Sequence, residues 1–528
     1  MLFRVLEIGI VTLCCLLAAS VYAHIFQMQR YQMPVYSQWL KRSRDQFLKN
    51  NVLIGLFGAA MQWYLPILLS LFVQVESTRN SLAGWLTLLS FAGVTVGLAL
   101  RHHHQEDKHP FSLTLRARRL MAMTGALLLA LVLAMVLLSV PPYLTYAVLP
   151  YVVWLAGRIM DPVEARINAG FYEEARRKLA GRKDLIRIGI TGSYGKTLTK
   201  FILRGMLSQK YKVLATPASF NTAMGISRVI NDRLAPEHQV FIAEMGAQHV
   251  GDIKNLVRLV RPQYGVITSI GPQHLDTFGS IANVAEAKNE LIEGLPEDGA
   301  AFFAADSGYT DRLYGMCKRE KYNAAVEKQG EFSMLATDVL TDQTGTRFTL
   351  TCADGGQVSC RTRLLGRLNV QNIALAAAVA RKLGLTMEEI AEGIARLQPF
   401  ERKLQLIPGE RFIIDDTLGG SAAGTAEALG VLAEFPGRRV IITSGLTETN
   451  GRMEDANYAF GTQMDGCVDA AILVGDRQTV RPIAKGLLST GFPKNMIFFS
   501  ETLEDADEIL NEISAPGDSV LYEGEIVE

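Results

Sequence analysis

The chain has 528 residues and carries 53 basic and 53 acidic side chains, so its formal net charge is zero. A single compact core rarely grows to this length, and the usual size of a domain predicts about three units. The six cysteines include no C-x-x-C pair, which excludes a small secreted scaffold held by disulfides. The balanced charge gives no indication of a nucleic-acid partner, and we expect none.

The first 157 residues contain five apolar stretches, each near the roughly 20 residues that a helix needs to cross the hydrocarbon core of a bilayer. Trp63, Trp85 and Trp154 lie near the ends of these stretches or inside them, as is common for interfacial aromatic residues. The pattern predicts an α-helical membrane bundle over residues 1–157, in contact with the lipid bilayer. The stretches are residues 8–24, 52–74, 82–100, 119–139 and 143–157.

The charges between the apolar stretches indicate the orientation of this bundle. Loops 25–51 and 101–118 are basic, whereas the alternate loops carry only Arg79. Because positive charge is enriched in cytoplasmic loops, we expect the N-terminus outside and everything after residue 157 in the cytoplasm. This predicts a multi-pass protein of the cell membrane. A cleaved signal peptide ending at the run Val21-Tyr22-Ala23 is the alternative, and it would turn the basic loops outward.

A phosphate-binding turn is predicted after the membrane region. The apolar run 185–190 has the character of a buried strand, and the sequence T-G-S-Y-G-K-T at 191–197 separates it from a stretch with helical periodicity. Glycines let backbone N–H groups approach phosphate oxygens, Lys196 can neutralise phosphate charge, and Thr197 can offer its hydroxyl to magnesium. Ile190 stands where the general P-loop pattern has its first glycine, so the match to that pattern is incomplete.

The turn at 191–197 resembles the T-G-[ST]-x-G-K-[ST] turn of the Mur ligases, which departs from the general P-loop in the same way. Four further stretches follow in the order found in that family. They are a substrate-side loop at 216–225, a strand that ends in Glu244, a strand and loop that carry His274, and the run Glu286-Ala287-Lys288. Agreement in order along residues 184–528 is more specific than any single motif.

The resemblance implies an ATP-dependent ligase that uses magnesium, with two ions expected. A substrate carboxylate would attack the γ-phosphate of ATP to give an acyl phosphate, and an incoming amine would displace the phosphate to form an amide. A lysine beside metal ions would be repelled unless its charge changed. Carbamylation would turn Lys288 into an anionic oxygen ligand, which explains a lysine at this position.

The resemblance also assigns roles to single residues. The implied catalytic residues are Lys196, Lys288 and His274. The nucleotide would contact Gly192, Ser193, Gly195, Lys196, Thr197, Asn372, Arg402 and Asp416. The magnesium ligands would be Thr197, Glu244, His274 and Lys288. The substrate side would use Ser219, Asn221 and Thr222.

The later segments match the family less completely. The run that ends at Asn372 resembles the start of the family's adenine-side helix, although Leu368 stands where a His is usual. A helix cap is the other interpretation of Asn372. Arg402 lies in a run that resembles the junction before the C-terminal domain. Asp416 matches the family, but the Tyr, Asn and Pro residues that usually follow are absent from residues 417–422.

These observations predict the fold class and the domain organisation. An α-helical membrane bundle is followed by α/β architecture, in which a P-loop Mur ligase central domain precedes a smaller doubly wound C-terminal domain. The predicted regions are the membrane region 1–157, a connector 158–183, the central ATP-binding domain 184–400 and the C-terminal domain 401–528. The strands expected in the last domain are residues 411–415, 440–443, 470–474 and 519–522.

Within the family, the runs Glu244-Met245-Gly246-Ala247 and Gly279-Ser280-Ile281 look most like those of the MurF ligases. These enzymes join D-alanyl-D-alanine to a muramoyl-tripeptide in peptidoglycan synthesis. The leading interpretation is therefore a membrane-anchored, MurF-like ligase that acts on a small-molecule or lipid-linked cell-wall precursor. Soluble Mur ligases begin with a domain that binds the UDP-sugar, whereas this chain begins with membrane spans.

Two alternatives stay open from the residues. A ligase of other specificity, acting on poly-gamma-glutamate or a lipid-linked peptide, is favoured by the altered loop at 417–422 and by the missing uridine domain. A catalytically silent, nucleotide-binding membrane scaffold that recruits other wall-synthesis proteins is the second alternative. Five residues speak against it, because a silent protein is expected to lose some of these groups. They are Lys196, Thr197, Glu244, His274 and Lys288.

Overall fold

A computed structural model describes residues 2–73, 75–105, 111–218, 220–419, 422–446, 453–475 and 477–524. The chain divides into two compact units, Met1–Gly170 and Phe171–Glu528.

The first unit is helical. Its helices are α1 (Leu2–Met28), α2 (Met33–Arg42), α3 (Arg44–Leu69), α4 (Glu76–Gln105), α5 (Leu115–Leu137), a 3-10 helix (Pro142–Val148) and the beginning of α6 (Leu149–Ala180). Among the described residues, five segments are helical, long and apolar enough to cross a membrane, which agrees with the five predicted stretches. Helix α6 runs through the predicted boundary at 157 and includes most of the predicted connector.

The core of this unit combines small side chains with large aromatic ones such as Phe91 and Tyr143. On α1, Cys15 and Ala19 are fully buried, whereas Leu13 is 64% exposed. All four tryptophans of the chain, Trp39, Trp63, Trp85 and Trp154, belong to this unit.

The second unit begins with a nine-stranded sheet. Its strands are β1 (Ile186–Thr191), β2 (Val213–Ala215), β3 (Val240–Glu244), β4 (Tyr264–Ile267), β5 (Ala300–Ala304), β6 (Glu320–Val326), β7 (Met334–Asp342), β8 (Gly345–Cys352) and β9 (Gln357–Thr362). The order is β2-β3-β1-β4-β5-β6-β7-β8-β9. The seven strands β1 to β7 are parallel to one another, and β8 and β9 add an antiparallel edge.

Helices cover both faces of this sheet. They are α7 (Lys196–Leu207), α8 (Ala223–Arg233), α9 (Asp252–Val260), α10 (Leu275–Phe278), α11 (Ile281–Glu293), α12 (Gly308–Met316), α13 (Arg367–Lys382) and α14 (Met387–Ala395). One apolar cluster joins Ile188 and Ile190 of β1 to α7, α13 and α14. A second joins Phe241 of β3 to α8, α9, α11 and the end of α6. Burial on both faces explains why β3 is apolar along its whole length until Glu244.

A six-stranded sheet follows in the order β10-β11-β15-β12-β13-β14. Its strands are β10 (Gln405–Ile407), β11 (Phe412–Asp416), β12 (Arg439–Thr443), β13 (Ala470–Val474), β14 (Ile497–Ser500) and β15 (Ser519–Glu523). The accompanying helices are α15 (Ala422–Ala433), α16 (Met453–Gln463), α17 (Arg477–Ser489), a 3-10 helix (Lys494–Met496) and α18 (Leu503–Ile513). The four predicted strands lie within one residue of their observed bounds, whereas β10 and β14 were not predicted.

Candidate functional site

The candidate site lies where three parallel strands of the first sheet end. Ile190 of β1 pairs with Glu244 of β3, and Thr191 pairs with Ile267 of β4. The loops that follow these strands therefore begin side by side. The carboxyl edge of a parallel sheet is the usual ligand site in α/β folds, so the topology brings the predicted motifs to one place.

Two glycines give the phosphate-binding turn its shape. Gly192 and Gly195 have φ angles of +149° and +79°, which side chains on L-residues rarely allow. A Cβ atom on Gly195 would lie 2.6 Å from Oδ1 of Asn372, so a side chain here would displace Asn372. Gly195 also precedes α7, whose N-terminus leaves backbone N–H groups free to face phosphate oxygens.

The loop after β4 holds this turn in place. The backbone N–H groups of Ser193 and Tyr194 donate to the carbonyl and the hydroxyl of Ser269, at 2.8 and 2.9 Å. The Ser193 hydroxyl accepts from the N–H of Gly271 at 3.0 Å and donates to its carbonyl at 3.1 Å. Ser193, predicted to touch nucleotide, is thus occupied in shaping the turn.

Lys196 lies folded over the turn. Its Nζ atom donates to the carbonyls of Gly192 and Ser193, at 2.7 and 2.8 Å. Burial lowers the pKa of Lys196 to about 8, partly opposed by the nearby Glu244 and reinforced by Lys403. A cation held by turn carbonyls is well placed to meet phosphate oxygens that approach the same turn.

Glu244 is the best-connected acidic group at this edge. Its side chain is 1% exposed, and its Oε2 atom accepts from the Thr197 hydroxyl at 2.9 Å and from Nζ of Lys200 at 2.8 Å. Its Oε1 atom accepts from Nδ2 of Asn221 at 3.2 Å. Magnesium in nucleotide sites takes one or two protein oxygens together with phosphate oxygens. A hydroxyl and a carboxylate that touch each other beside the phosphate turn fit this requirement.

Lys288 and His274 occupy different environments. Lys288, on α11, is 2% exposed, and burial together with the charge of Lys196 lowers its pKa to about 7. His274 is exposed, has a φ of +54°, and begins α10 with its carbonyl accepting from the Thr277 hydroxyl. Among the described side chains, no group of three His, Cys, Asp or Glu residues is placed to hold a metal ion. The second metal site stays a prediction.

The predicted substrate residues follow β2. Asn221 contacts Glu244 as described, so it links this loop to the candidate metal site. The Thr222 hydroxyl accepts from the N–H of Gly225 at 3.2 Å and caps α8. Ser219 lies outside the described residues.

Asn372 packs against the phosphate turn from α13. Its Oδ1 atom accepts from the Thr199 hydroxyl at 3.0 Å, and its Nδ2 atom donates to the carbonyl of Leu368 at 2.9 Å. It does not cap α13, which starts at Arg367. Its contacts support the turn, and the predicted adenine role stays a prediction.

Arg402 and Asp416 both lie near the start of the second sheet. Nε of Arg402 donates to the Thr417 hydroxyl at 2.8 Å, and the carbonyl of Arg402 accepts from the N–H of Leu418. Asp416 is 4% exposed and pairs in register with Glu523, which is fully buried. Burial raises the pKa of Asp416 to about 6, with the Leu404 N–H and Glu523 opposing the increase. Their nucleotide roles stay predictions.

Three groups that shape the site were not predicted from the sequence. They are the ammonium of Lys200, the hydroxyl of Thr216, which accepts from the N–H of Glu244 at 3.1 Å, and the carboxyl of Glu523. Lys200 left a signal, because it lies one helical turn after Lys196 within the apolar run Leu198, Phe201, Ile202. A lysine in such a run needs a buried partner.

Known proteins resemble this chain over the same region. Residues 190–380 match the Mur ligase middle domain. The UDP-N-acetylmuramoyl-tripeptide–D-alanyl-D-alanine ligase of Escherichia coli is 31% identical over 304 residues, which cover 57% of this chain and 67% of the relative. The enzyme of the same name from Bacillus subtilis is 28% identical over 341 residues, covering 63% and 72%.

A solved structure has the same fold. The MurF ligase of Thermotoga maritima in complex with ADP superposes with a TM-score of 0.60 and 23% identity, covering 68% of this chain and 80% of that chain. The likeness confirms the α/β fold class predicted for residues 184–528.

Proposed function

The chain belongs to the Mur ligase family, and we propose that it is an ATP-dependent peptide ligase of the MurF kind, acting in peptidoglycan synthesis. In this proposal it joins D-alanyl-D-alanine to UDP-N-acetylmuramoyl-tripeptide, the reaction for which its Escherichia coli and Bacillus subtilis relatives are named. The observation that carries the proposal is the meeting of Lys196, Thr197 and Glu244 around one glycine-rich turn at the carboxyl edge of the sheet.

The residues of the turn suit phosphoryl transfer. The γ-phosphoryl group of ATP passes to the substrate carboxylate, which leaves ADP and an acyl phosphate. The incoming amine then attacks the acyl carbon, displaces phosphate and loses a proton, so that an amide is formed. Lys196 and the N–H groups at the start of α7 would neutralise the charge on the transferring group. Protein groups in such reactions mainly position the reactants and balance charge. Lys196 and the N–H groups at the start of α7 are placed to do both.

Thr197 and Glu244 would hold magnesium, whose contribution is to neutralise phosphate charge. Lys288 suits carbamylation, because its lowered pKa of about 7 leaves much of the amine uncharged at neutral pH. An uncharged amine is the form that reacts with carbon dioxide. Together these features support the family's metal chemistry at this edge.

We infer that the first unit anchors the ligase in the cell membrane with residues after 157 in the cytoplasm. Five apolar helices and the basic loops 25–51 and 101–118 support this. The signal-peptide alternative would remove residues up to Ala23, yet Cys15, Ala19 and Ala23 are buried in the core of the helical unit. Labelling of single cysteines placed in loop 101–118 of intact and permeabilised cells tests the orientation. Reaction in intact cells would contradict it.

A ligase with another amine or acyl substrate is a second candidate, supported by the loop after Asp416. The Thr417 hydroxyl accepts a hydrogen bond from Arg402 and donates one to the carboxylate of Asp415. This loop therefore forms contacts at the junction of the two sheets. The Tyr, Asn and Pro side chains usual in MurF ligases are absent from it. The amine could therefore differ from D-alanyl-D-alanine.

Phosphate release from ATP by detergent-solubilised protein with magnesium and bicarbonate tests the proposal. We expect release only when UDP-N-acetylmuramoyl-tripeptide and D-alanyl-D-alanine are both present. Release with a lipid-linked precursor or with glutamate, but not with that pair, would establish the second candidate. Nucleotide binding without release in any combination would favour the silent scaffold.

A further inference from the structure

Lys200 is a buried cation that the proposed chemistry does not use directly. It lies on α7 one turn after Lys196, and its side chain is 0% exposed. Lys196 reaches the phosphate turn, whereas Lys200 points to the other side of the strand end, toward Glu244. A fully buried ammonium is costly unless it is matched, so its partners indicate its task.

Nζ of Lys200 has two partners on different segments. It donates to Oε2 of Glu244 at 2.8 Å and to the carbonyl of Ala218 at 2.5 Å. Glu244 is the candidate magnesium ligand, and Ala218 belongs to the substrate-side loop. One ammonium group therefore joins the carboxylate that would hold the metal to the loop that would hold the acyl substrate.

The backbone at Ala218 needs this support. Its φ of +37° lies in the left-handed region, which is unfavourable for a residue other than glycine. The carbonyl of this residue is the one that Lys200 holds. The hydrogen bond from Lys200 to this carbonyl thus helps to hold an unfavourable backbone conformation near the start of the loop.

The other contacts of the loop also converge on Glu244. The N–H of Glu244 donates to the Thr216 hydroxyl at 3.1 Å, and Nδ2 of Asn221 donates to its Oε1 atom. The N–H of Gly246 donates to the carbonyl of Asn221 at 2.9 Å. The loop and the end of β3 are consequently held together on both sides of the Lys200 contact.

We propose that Lys200 is a positioning residue that couples the nucleotide-metal site to the substrate-side loop. It fixes the Glu244 carboxylate beside Thr197 and, through the same ammonium, the conformation of the substrate-side loop at Ala218. Binding at either place then strengthens binding at the other by the same factor, as thermodynamic linkage requires. The substrate half of this inference rests on the proposed function, whereas the link between Glu244 and the loop does not.

Hydrogen exchange of the full-length protein in detergent tests the link without any acyl substrate. In Lys200→Met, amides of segment 216–225 are expected to exchange about tenfold faster than in wild type, and ADP with magnesium should no longer slow them. Lys210→Met is the matched control, because Lys210 also donates to a backbone carbonyl but lies on the surface. Wild-type exchange in Lys200→Met would overturn the proposal.

Lys200→Met leaves the buried Glu244 without a cation to balance its charge, which threatens folding. The double variant Lys200→Met/Glu244→Gln removes that charge, and it too should expose segment 216–225. Slow exchange in the folded double variant would overturn the proposal equally.

The coupling is measured by ADP affinity with magnesium, with and without UDP-N-acetylmuramoyl-tripeptide. We expect the tripeptide to raise wild-type affinity about fivefold and to have less than about a twofold effect in Lys200→Met. Equal coupling in both proteins would contradict the inference. A wild-type protein that ignores the tripeptide would instead contradict the proposed substrate, while the exchange result would stand.

Discussion

The two sheets of the second unit end in edges of opposite chemistry. At the carboxyl edge of the first sheet, Lys196, Lys200 and Lys288 lie near the phosphate turn, and the fully buried Lys200 pairs with the single carboxylate of Glu244. At the carboxyl edge of the second, the neighbouring strand ends present Asp416 and Glu523, both buried. The contrast teaches that topology selects the location of a site, whereas the sign of the buried side chains selects its ligand.

The two edges differ in how a buried carboxylate is stabilised. Glu244 is matched by the ammonium of Lys200, so its charge is compensated inside the protein. Asp416 has no ion-pair partner among the described residues, and burial holds its pKa near 6. The first edge is prepared for anions such as phosphates. The second keeps a carboxyl group that takes up a proton just below neutral pH.

Of the substitutions considered at the two edges, the loss of Lys196 should have the largest effect. Lys196→Ala removes the cation that meets the phosphate oxygens, and we expect phosphate release to fall about 100- to 1000-fold. Lys210→Ala, a change on the surface of the same unit, should leave release unchanged. Unchanged turnover in Lys196→Ala would reject the assignment of the phosphate turn.

Lys288 offers a test through pH and bicarbonate. Burial lowers its pKa to about 7, so its uncharged, reactive fraction falls to about a tenth at pH 6 and rises to about nine tenths at pH 8. We expect bicarbonate to stimulate phosphate release more at pH 8 than at pH 6. Lys288→Arg should lose about 100-fold in turnover and ignore bicarbonate, since a guanidinium cannot be carbamylated.

An equal response of wild type and Lys288→Arg to bicarbonate would show that this lysine does not become a metal ligand. If Lys288→Arg lost turnover but bicarbonate had no effect on wild type, Lys288 would act as an unmodified amine or ammonium at the first edge.

Substitution of Gly195 tests how closely the phosphate turn packs against Asn372 at the first edge. In Gly195→Ala the new methyl group meets Asn372 and the residue keeps a left-handed conformation, so we expect ADP affinity to fall about 30-fold. Gly195→Ala/Asn372→Ala should recover part of the ADP affinity, because it removes the contact with Asn372 and leaves only the backbone strain at residue 195. Gly466→Ala is the control, since Gly466 has a similar φ of +73° and open space around it. Calorimetry with ADP measures all three, and no recovery in the double variant would refute this packing.

The smallest effect is expected at the second edge. Because burial raises the pKa of Asp416, the folded state binds its proton more tightly than the unfolded chain does. Its contribution to stability is therefore largest at acid pH and is lost as the pH rises through about 6. Asp416→Asn should raise the free energy of unfolding at pH 8 by about 1 kcal/mol and flatten its pH dependence.

Pulse proteolysis of the full-length protein at pH 5 and pH 8 measures this change. Asp465→Asn, on the exposed surface of the same domain, is the control and should show neither effect. A less stable Asp416→Asn at pH 8 would show that the charged form is the one the fold favours.

The first edge was largely predictable because its residues occur in short motifs. The turn at 191–197, the strand that ends in Glu244 and the run around Lys288 each combine a local pattern with a fixed order. The five apolar stretches were predictable for a similar reason, since length and composition decide them. Their helices extend further, as α6 does to Ala180, because polar residues beyond the apolar stretch continue the same backbone hydrogen bonds.

The residues that were missed depend on contacts distant in sequence. Lys200 and Glu244 are 44 residues apart, and only the placement of β3 beside β1 brings them together. Asp416 and Glu523 meet through the pairing of β11 with β15, which no local pattern reveals. Asn372 was predicted as a nucleotide or capping residue, yet its contact with Thr199 required the packing of α13 on α7.

The placement of all four tryptophans in the first unit gives the protein a built-in optical asymmetry. Excitation at the red edge of indole absorption reports Trp39, Trp63, Trp85 and Trp154 alone, so the native emission is silent about residues 171–528. Quenching by brominated lipids can then be assigned to the helical unit without labelling. A single Phe460→Trp substitution in the apolar core of the second sheet would add a separate reporter, and two signals from one sample would tell whether the units melt together or apart.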